Sequence, residues 1–338
     1  MKPDAPPVPQ AATDALLEVD ELSVTFTTPE GPVHAVNGVS FSLGKGETLA
    51  ILGESGCGKS VTMQAVMGLV RQPPGKVTAR RIRFRETDLL RVRGRALRAI
   101  RGPRIAMIFQ DPFMSLDPTK TVGQQLGELF RVHRGWSRGR ARARAIELME
   151  RARIPSARQR VDDYPHQFSG GMSQRVMIAA AIALEPEILI ADEPTTALDV
   201  TVQAQIMELL TQLRDEIGMA MVLITHDLGL AAEACDRAAV MYAGRFIETG
   251  PMRDLYTAPR HPYTRGLLRS IPRLEARQAR LEPIPGAPPR LSRLPPGCAF
   301  APRCPWRAAR CESELPALRP LGPARRAACH YAEDIADG

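Results

Sequence analysis

Apolar and polar residues alternate through Leu16–Phe26, with Leu17, Val19, Leu22, Val24 and Phe26 carrying the apolar phase, and this period predicts a strand. Pro29-Glu30-Gly31-Pro32 then turns the chain, and Val33–Leu43 reads as a second strand with Asn37-Gly38 as a turn inside it. Thr48–Leu52, Ile105–Phe109, Ile188–Ala191 and Ala220–Ile224 are short apolar runs, the pattern of strands covered on both faces. Val77–Phe84 predicts a further strand. Helical composition follows the first apolar run at Val61–Leu69. It returns over residues 121–153, where Val122, Leu126, Leu129 and Phe130 share one face and Pro155 ends the stretch. Val176–Leu184 and Val202–Glu216 read as two more helices, and Ala239–Tyr242 and Phe246–Glu248 as a hairpin around Gly244. Buried strands alternating with helices predict an α/β fold built on a mostly parallel sheet, with an antiparallel sheet before and beside it. Residues 1–15 are rich in Pro and Ala and read as a loose tail. After Gly250 prolines become frequent and the periodicity weakens, so 251–338 reads as an appendage rather than a continuation of the sheet.

With 338 residues, 44% hydrophobic and 24% charged, the chain is globular and has room for a main domain and a smaller one. Its net charge of +8 suits a neighbour of anionic lipid or nucleic acid. The arginines crowded between residues 71 and 104 lack interleaved aromatics, however, and read as a solvated face; no nucleic acid is expected. No stretch is long and apolar enough to span a bilayer and no signal segment is visible, which predicts a protein on the cytoplasmic side.

The chemistry concentrates where the apolar runs end. After Thr48–Leu52 comes Gly53-Glu54-Ser55-Gly56-Cys57-Gly58-Lys59-Ser60-Val61, a glycine-rich loop between strand and helix that fits a phosphate cradle. Its backbone N–H groups and the helix start favour an anion. Lys59 would reach the β and γ phosphates, and Ser60 would place its hydroxyl on Mg²⁺. Cys57 reads as a small residue whose thiol would open the site to alkylation. Asp192 and Glu193 end a second run, where the first acid can hold the metal shell and the second can orient a water. Gln110 and His226 end two others, so several polar strand ends would meet on one sheet edge. Ser169-Gly170-Gly171, followed by Met172-Ser173-Gln174, opens a helix like a second anion site. Within one chain it is surplus, which points to use against a nucleotide held by a partner chain.

Together these residues resemble the nucleotide-binding subunits of ABC transporters over about residues 16–250. Gly53–Ser60 is similar to the Walker A loop, Gln110 to the Q-loop glutamine, and Phe168–Gln174 to the signature motif, with Phe168 where many members carry Leu. Ile188–Glu193 is similar to Walker B with its glutamate, Ala197-Leu198-Asp199 to the D-loop, and His226 to the switch histidine. The resemblance implies a helical subdomain near residues 121–165 and two ATP molecules sandwiched between paired cassettes. It also implies an aromatic stacked on adenine, for which Phe26 is the nearest candidate and His34 the other. Gln110-Asp111-Pro112, Ser115-Leu116-Asp117-Pro118, Ala191–Val200, His261–Leu267 and Gly297–Cys304 further resemble the oligopeptide/dipeptide importer ATPases, with nickel importers close by. That branch implies ATP hydrolysis driving import through two permease subunits, a second and usually non-identical ATPase chain, and an extracytoplasmic binding protein.

Cys298, Cys304, Cys311 and Cys329 lie together near the end of the chain, in a proline-rich segment with little visible core. In a reducing compartment four thiols read as metal ligands, and either zinc or an iron–sulfur cluster would accept them. The resemblance favours a [4Fe–4S] cluster over zinc.

Overall fold

A computed structural model describes residues 15–196, 198–270 and 283–335; the tail expected over residues 1–15 therefore lies outside the described residues except for Ala15. Strands β1 (Ala15–Thr28) and β2 (Gly31–Gly44) form a long antiparallel hairpin, and β3 (Thr48–Leu52) leads into helix α1 (Lys59–Val66). Next come β4 (Gly75–Thr78), β5 (Arg81–Phe84), β6 (Thr87–Asp88) and β7 (Ile105–Ile108). A helical layer follows, with α2 (Val122–Arg134), α3 (Arg138–Arg151) and α4 (Gly170–Ile182). Strand β8 (Ile188–Asp192), helix α5 (Val200–Ile217), strand β9 (Ala220–Thr225) and helix α6 (Leu228–Ala234) complete the α/β alternation. The hairpin β10 (Arg237–Tyr242) and β11 (Arg245–Pro251), then helices α7 (Met252–Thr257) and α8 (Pro262–Arg269), lead to two short strands, β12 (Arg319–Pro320) and β13 (Arg326–Ala327).

Two sheets result. One is antiparallel and runs β2-β1-β5-β6, with β4 also on β1; the other is mixed and runs β12-β13-β11-β10-β3-β9-β8-β7. From β10 to β7 its neighbours are parallel, and β3, β8 and β9 are buried along their whole length. This is the predicted covered parallel sheet, with α/β crossovers on its faces. The arginines of residues 71–104 form a charged outer face: Arg80 pairs with Asp20, Arg81 and Arg83 with Glu18, and Arg104 with Glu187.

Four expectations change. Asn37-Gly38 is a bulge inside one continuous strand: Leu22 faces Val39 while Val24 faces Val36, and Gly38 takes φ 65° to absorb the extra residue. Val77–Phe84 divides into β4 and β5 because β1 changes partner at Glu21, whose φ is 51°. The helical stretch 121–153 breaks at Gly135, φ 65°, and restarts on the Ser137 cap. Finally, the C-terminal segment does continue the sheet, through β13 on β11 and β12 on β13. Two-residue strands are too short to show a period.

Nor does the segment lack a core. Phe300 is buried against Tyr242, Tyr263 and His261, in a cluster shared with β3, β10 and α6. His261 caps α8, its ring Nδ1 accepting the Tyr263 N–H at 3.1 Å, while its backbone N–H donates to Glu248 Oε2 at 3.0 Å. Burial keeps this imidazole neutral, with its pKa down to about 3. Between about pH 6.5 and 3 the unfolded chain therefore binds the extra proton, and stability is lost as pH falls through that window. The expected loss by pH 4 is about 3 kcal/mol. Urea unfolding at pH 7 and pH 4 should show it, and His261→Asn, which keeps a capping acceptor, should remove most of the difference.

Candidate nucleotide site

The loop Gly53–Ser60 follows β3 and enters α1. Gly53 and Gly58 hold φ angles of 151° and 110°. A Cβ on either would lie 2.3 Å from a carbonyl oxygen, that of Met241 for Gly53 and that of Ala35 for Gly58. Conformation and space both demand glycine there. Ser55 and Gly56 form the exposed rim, and Val61 packs into the core below. Lys59 is only 4% exposed and folds over the loop, donating to the carbonyls of Gly53 at 2.8 Å and Glu54 at 3.0 Å. Cys57 is buried and its thiol is pushed up by that burial, so the expected sensitivity to alkylation is not supported.

Strands β3, β9, β8 and β7 are parallel neighbours, so their carboxyl ends deliver side chains to one edge. Ser60 Oγ donates to Asp192 Oδ1 at 2.8 Å. Asp192 is 3% exposed and burial pushes its carboxyl up. Beside it, Glu193 accepts from Gln110 Nε2 at 3.1 Å and Thr196 Oγ1 at 2.8 Å. His226 Nδ1 stands 3.8 Å from Glu193 Oε2, and Lys59 Nζ 3.8 Å from Oε1. The imidazole, with the Thr196 hydroxyl and the Lys59 ammonium, holds the Glu193 carboxyl down to about 2, and Glu193 in turn raises His226. Glu193 has φ 46°, an uncommon setting for a side-chain-bearing residue. Its N–H is fixed by the Ile224 carbonyl at 2.9 Å.

Lys59, Ser60, Gln110, Asp192, Glu193 and His226 are thus brought together as expected. Ser169, Gly170 and Gly171 lie elsewhere, against the start of α5: a Cβ on Gly171 would meet Val202 at 2.9 Å. Ser169 caps α4 by accepting the Met172 N–H at 3.4 Å. Gln174, expected to face a ligand, is 3% exposed and turns inward. Phe26 is part-buried in β1 and packs towards Gly75 and the core. His34 is exposed, with Nδ1 3.1 Å from Thr25 Oγ1.

The four tail cysteines are free and line one small pocket with Phe300, Trp306 and Tyr331. Burial raises the thiols of Cys298, Cys304 and Cys329, the last two to about 11. Among the described residues no group of three or more His, Cys, Asp or Glu is close-set enough to hold a metal ion.

Two residues of the site were not foreseen. Arg303 pairs with both carboxylate oxygens of Glu54, and the Tyr263 hydroxyl accepts the Glu54 N–H at 2.8 Å. Both stand in stretches that the sequence singles out, His261–Leu267 and Gly297–Cys304, but no local pattern connects them to a loop more than 200 positions away.

A phosphate loop at the end of a parallel strand, with an acid pair, a glutamine and a histidine on adjacent strand ends, defines an ATP-binding cassette. Residues 36–196 match the family described as ABC transporter, and residues 247–311 match the oligopeptide/dipeptide transporter C-terminal region. The dipeptide transport ATP-binding protein DppD of Bacillus subtilis (strain 168) is 53% identical over 303 residues, covering 90% of each chain. That of Escherichia coli (strain K12) is 51% identical over 322 residues, covering 95% of this chain and 98% of the relative. Among solved structures, the ATP-binding cassette MJ0796, as a post-hydrolysis dimer bound to ADP and Pi, superposes with a TM-score of 0.63 at 29% identity. It covers 70% of this chain and 99% of that one. The chain therefore belongs to the ABC transporter family of ATP-binding subunits, in the branch that carries the oligopeptide/dipeptide C-terminal region.

Gly58→Ala should cost about 2–4 kcal/mol, because it combines a positive φ with a backbone clash. A lower urea midpoint together with lost nucleotide binding checks both parts.

Proposed function

We propose that this chain hydrolyses ATP as the energising subunit of an ABC importer that carries a dipeptide or oligopeptide across the cytoplasmic membrane. The observation that carries the reading is the meeting of Lys59, Ser60, Gln110, Asp192, Glu193 and His226 on one sheet edge. The peptide client is supported by the names of the relatives and by the C-terminal match. We assign the cassette to 16–250, with its helical subdomain near 121–165, and the extension to 251–338; the family matches at 36–196 and 247–311 support a division into two parts.

In this reading the loop amides of Gly53–Ser60 and the Lys59 ammonium bind and orient the β and γ phosphates. Ser60 and Asp192 are hard oxygen donors 2.8 Å apart, a fitting pair for Mg²⁺, and Gln110 would join its shell. Bound Mg²⁺ supplies charge neutralisation at the phosphates. Glu193 is the carboxylate that polarises and activates the attacking water. Its part is to orient water towards the γ-phosphate, with His226 and Gln110 fixing the carboxylate. Ser169, Gly170 and Gly171 cover the nucleotide of the paired cassette, and Phe26 or His34 would flank adenine. The pairing is with a second ATPase chain, under two permease subunits, at the cytoplasmic face of the membrane. Among the described residues no helix is long and apolar enough to cross a membrane. In the assembled transporter, Glu193→Gln should bind ATP with wild-type affinity and hydrolyse it at least about 100-fold more slowly, a loss of about 2.7 kcal/mol in barrier lowering. Full turnover in that variant would remove Glu193 from the reaction.

The finer assignment for the tail is a [4Fe–4S] cluster on Cys298, Cys304, Cys311 and Cys329, with zinc as the alternative. Its support is that four free thiols line one pocket; closing on the cluster requires them to shift inward and ionise. Anaerobic purification should yield about four iron and four sulfide per chain with a broad visible absorbance. Stoichiometric zinc without colour would replace the cluster, and neither metal would leave the cysteines as plain thiols.

A further inference from the structure

The phosphate loop is gripped from outside by the C-terminal extension. Arg303 Nη1 lies 2.6 Å from Glu54 Oε2 and Nη2 2.9 Å from Oε1, a two-pronged ion pair. The guanidinium is itself fixed: Nε donates to the Pro285 carbonyl at 2.9 Å, Nη2 to the Ile284 carbonyl at 3.3 Å, and Nη1 to the Tyr242 hydroxyl at 3.3 Å. Arg303 is 7% exposed, so the pair is far better shielded from water than an ordinary surface bridge. Tyr263, fully buried between Tyr242 and Phe300, adds the hydroxyl that takes the Glu54 N–H. On its inner side Glu54 offers its carbonyl to Lys59 Nζ at 3.0 Å and to the Cys57 N–H at 3.4 Å. Every polar group of Glu54 is therefore committed, the carboxylate and the amide to the extension and the carbonyl to the loop and its lysine.

We infer that Arg303 and Tyr263 are positioning residues for ATP: acting through Glu54, they set the phosphate loop and so make the C-terminal extension a working part of the nucleotide site. The inference rests on the reading of Gly53–Ser60 as that site. The geometry favours it over simple anchoring of the tail. An anchor could end anywhere on the sheet, whereas both contacts end on the residue next to the first loop glycine, whose carbonyl holds the phosphate-binding lysine. Releasing Glu54 frees that carbonyl and with it the resting position of Lys59. It also leaves a buried guanidinium without its counter-charge. Lysine at 303 would restore the charge but not the two-pronged geometry.

The test uses the full-length chain with a fluorescent ATP analogue and Mg²⁺, and reads the dissociation constant beside the nucleotide-free melting transition. Tyr263→Phe keeps the ring packing and removes only the acceptor for the Glu54 N–H. It should fold, and should weaken analogue binding about threefold or more. Arg303→Gln should weaken it about tenfold or more and Arg303→Lys by less. Glu54→Gln combined with Arg303→Gln should bind no worse than the poorer single variant, because both remove one interaction. Binding within the error of wild type in folded Tyr263→Phe and Arg303→Lys would overturn the inference and reduce the contact to an anchor. Should Arg303→Gln fail to fold, those two variants decide. A wild-type chain that binds no analogue would instead overturn the nucleotide-site reading itself.

Discussion

Parallel neighbours in a sheet present their carboxyl ends at the same edge, and most of the molecule is arranged around that edge. The ladders join β3 to β9, β9 to β8 and β8 to β7 in continuous register. Any residue just past one of these ends is then within a side chain's reach of the next. The sheet can hold this register because it is covered on both faces, which the alternating helices provide. The polar residues at the edge form a bonded network rather than a row of separate charges. Lys59 brings positive charge to Glu193 and His226 its imidazole, Ser60 satisfies Asp192, and Gln110 and Thr196 complete the carboxylate of Glu193. The cost is local: Glu193 carries a positive φ, and two glycines must sit where no side chain fits.

This edge is also what makes so much of the protein legible from its residues. A short apolar run followed by a glycine loop, an acid pair, a glutamine or a histidine announces both a buried strand and what stands at its end, and those placements hold. The regions read less well are those in which the determining partner is remote. Nothing near Ala79 says that β1 will exchange one neighbour for another at Glu21. Nothing in a two-residue strand says that Arg326 and Ala327 will lie against β11. Gln174 sits in a stretch that invites a ligand-facing role, but its position on α4 turns it inward. The helix phase, set by the apolar residues after it, overrides the motif. The tail reads as nearly coreless because its apolar residues are few and scattered; Tyr242 and the sheet face they cover supply the core.

The extension is bound to the cassette by three kinds of force in one small volume. Aromatic packing joins Phe300 to Tyr242 and Tyr263, the strand pair β11–β13 extends the sheet, and Glu248 collects Arg325 with the N–H groups of Arg260 and His261. Glu248 is wholly buried and its charge is tolerable because these donors meet it. A segment that composition alone marks as an appendage is thus continuous with the core.

The pairing of Glu54 with Arg303 has a consequence for how the protein is made. The two residues are separated by 249 positions, which at ordinary rates of synthesis is a delay of about 12–50 s. The phosphate loop emerges first, and its two outer partners leave the ribosome 209 and 249 residues later. Once β10 and β11 have been made, the nascent cassette has its strands and its lysine but not its finished loop. Completion of the site waits on Tyr263 and Arg303, and a message cut short after the hairpin β10–β11 would yield a cassette without these clamps.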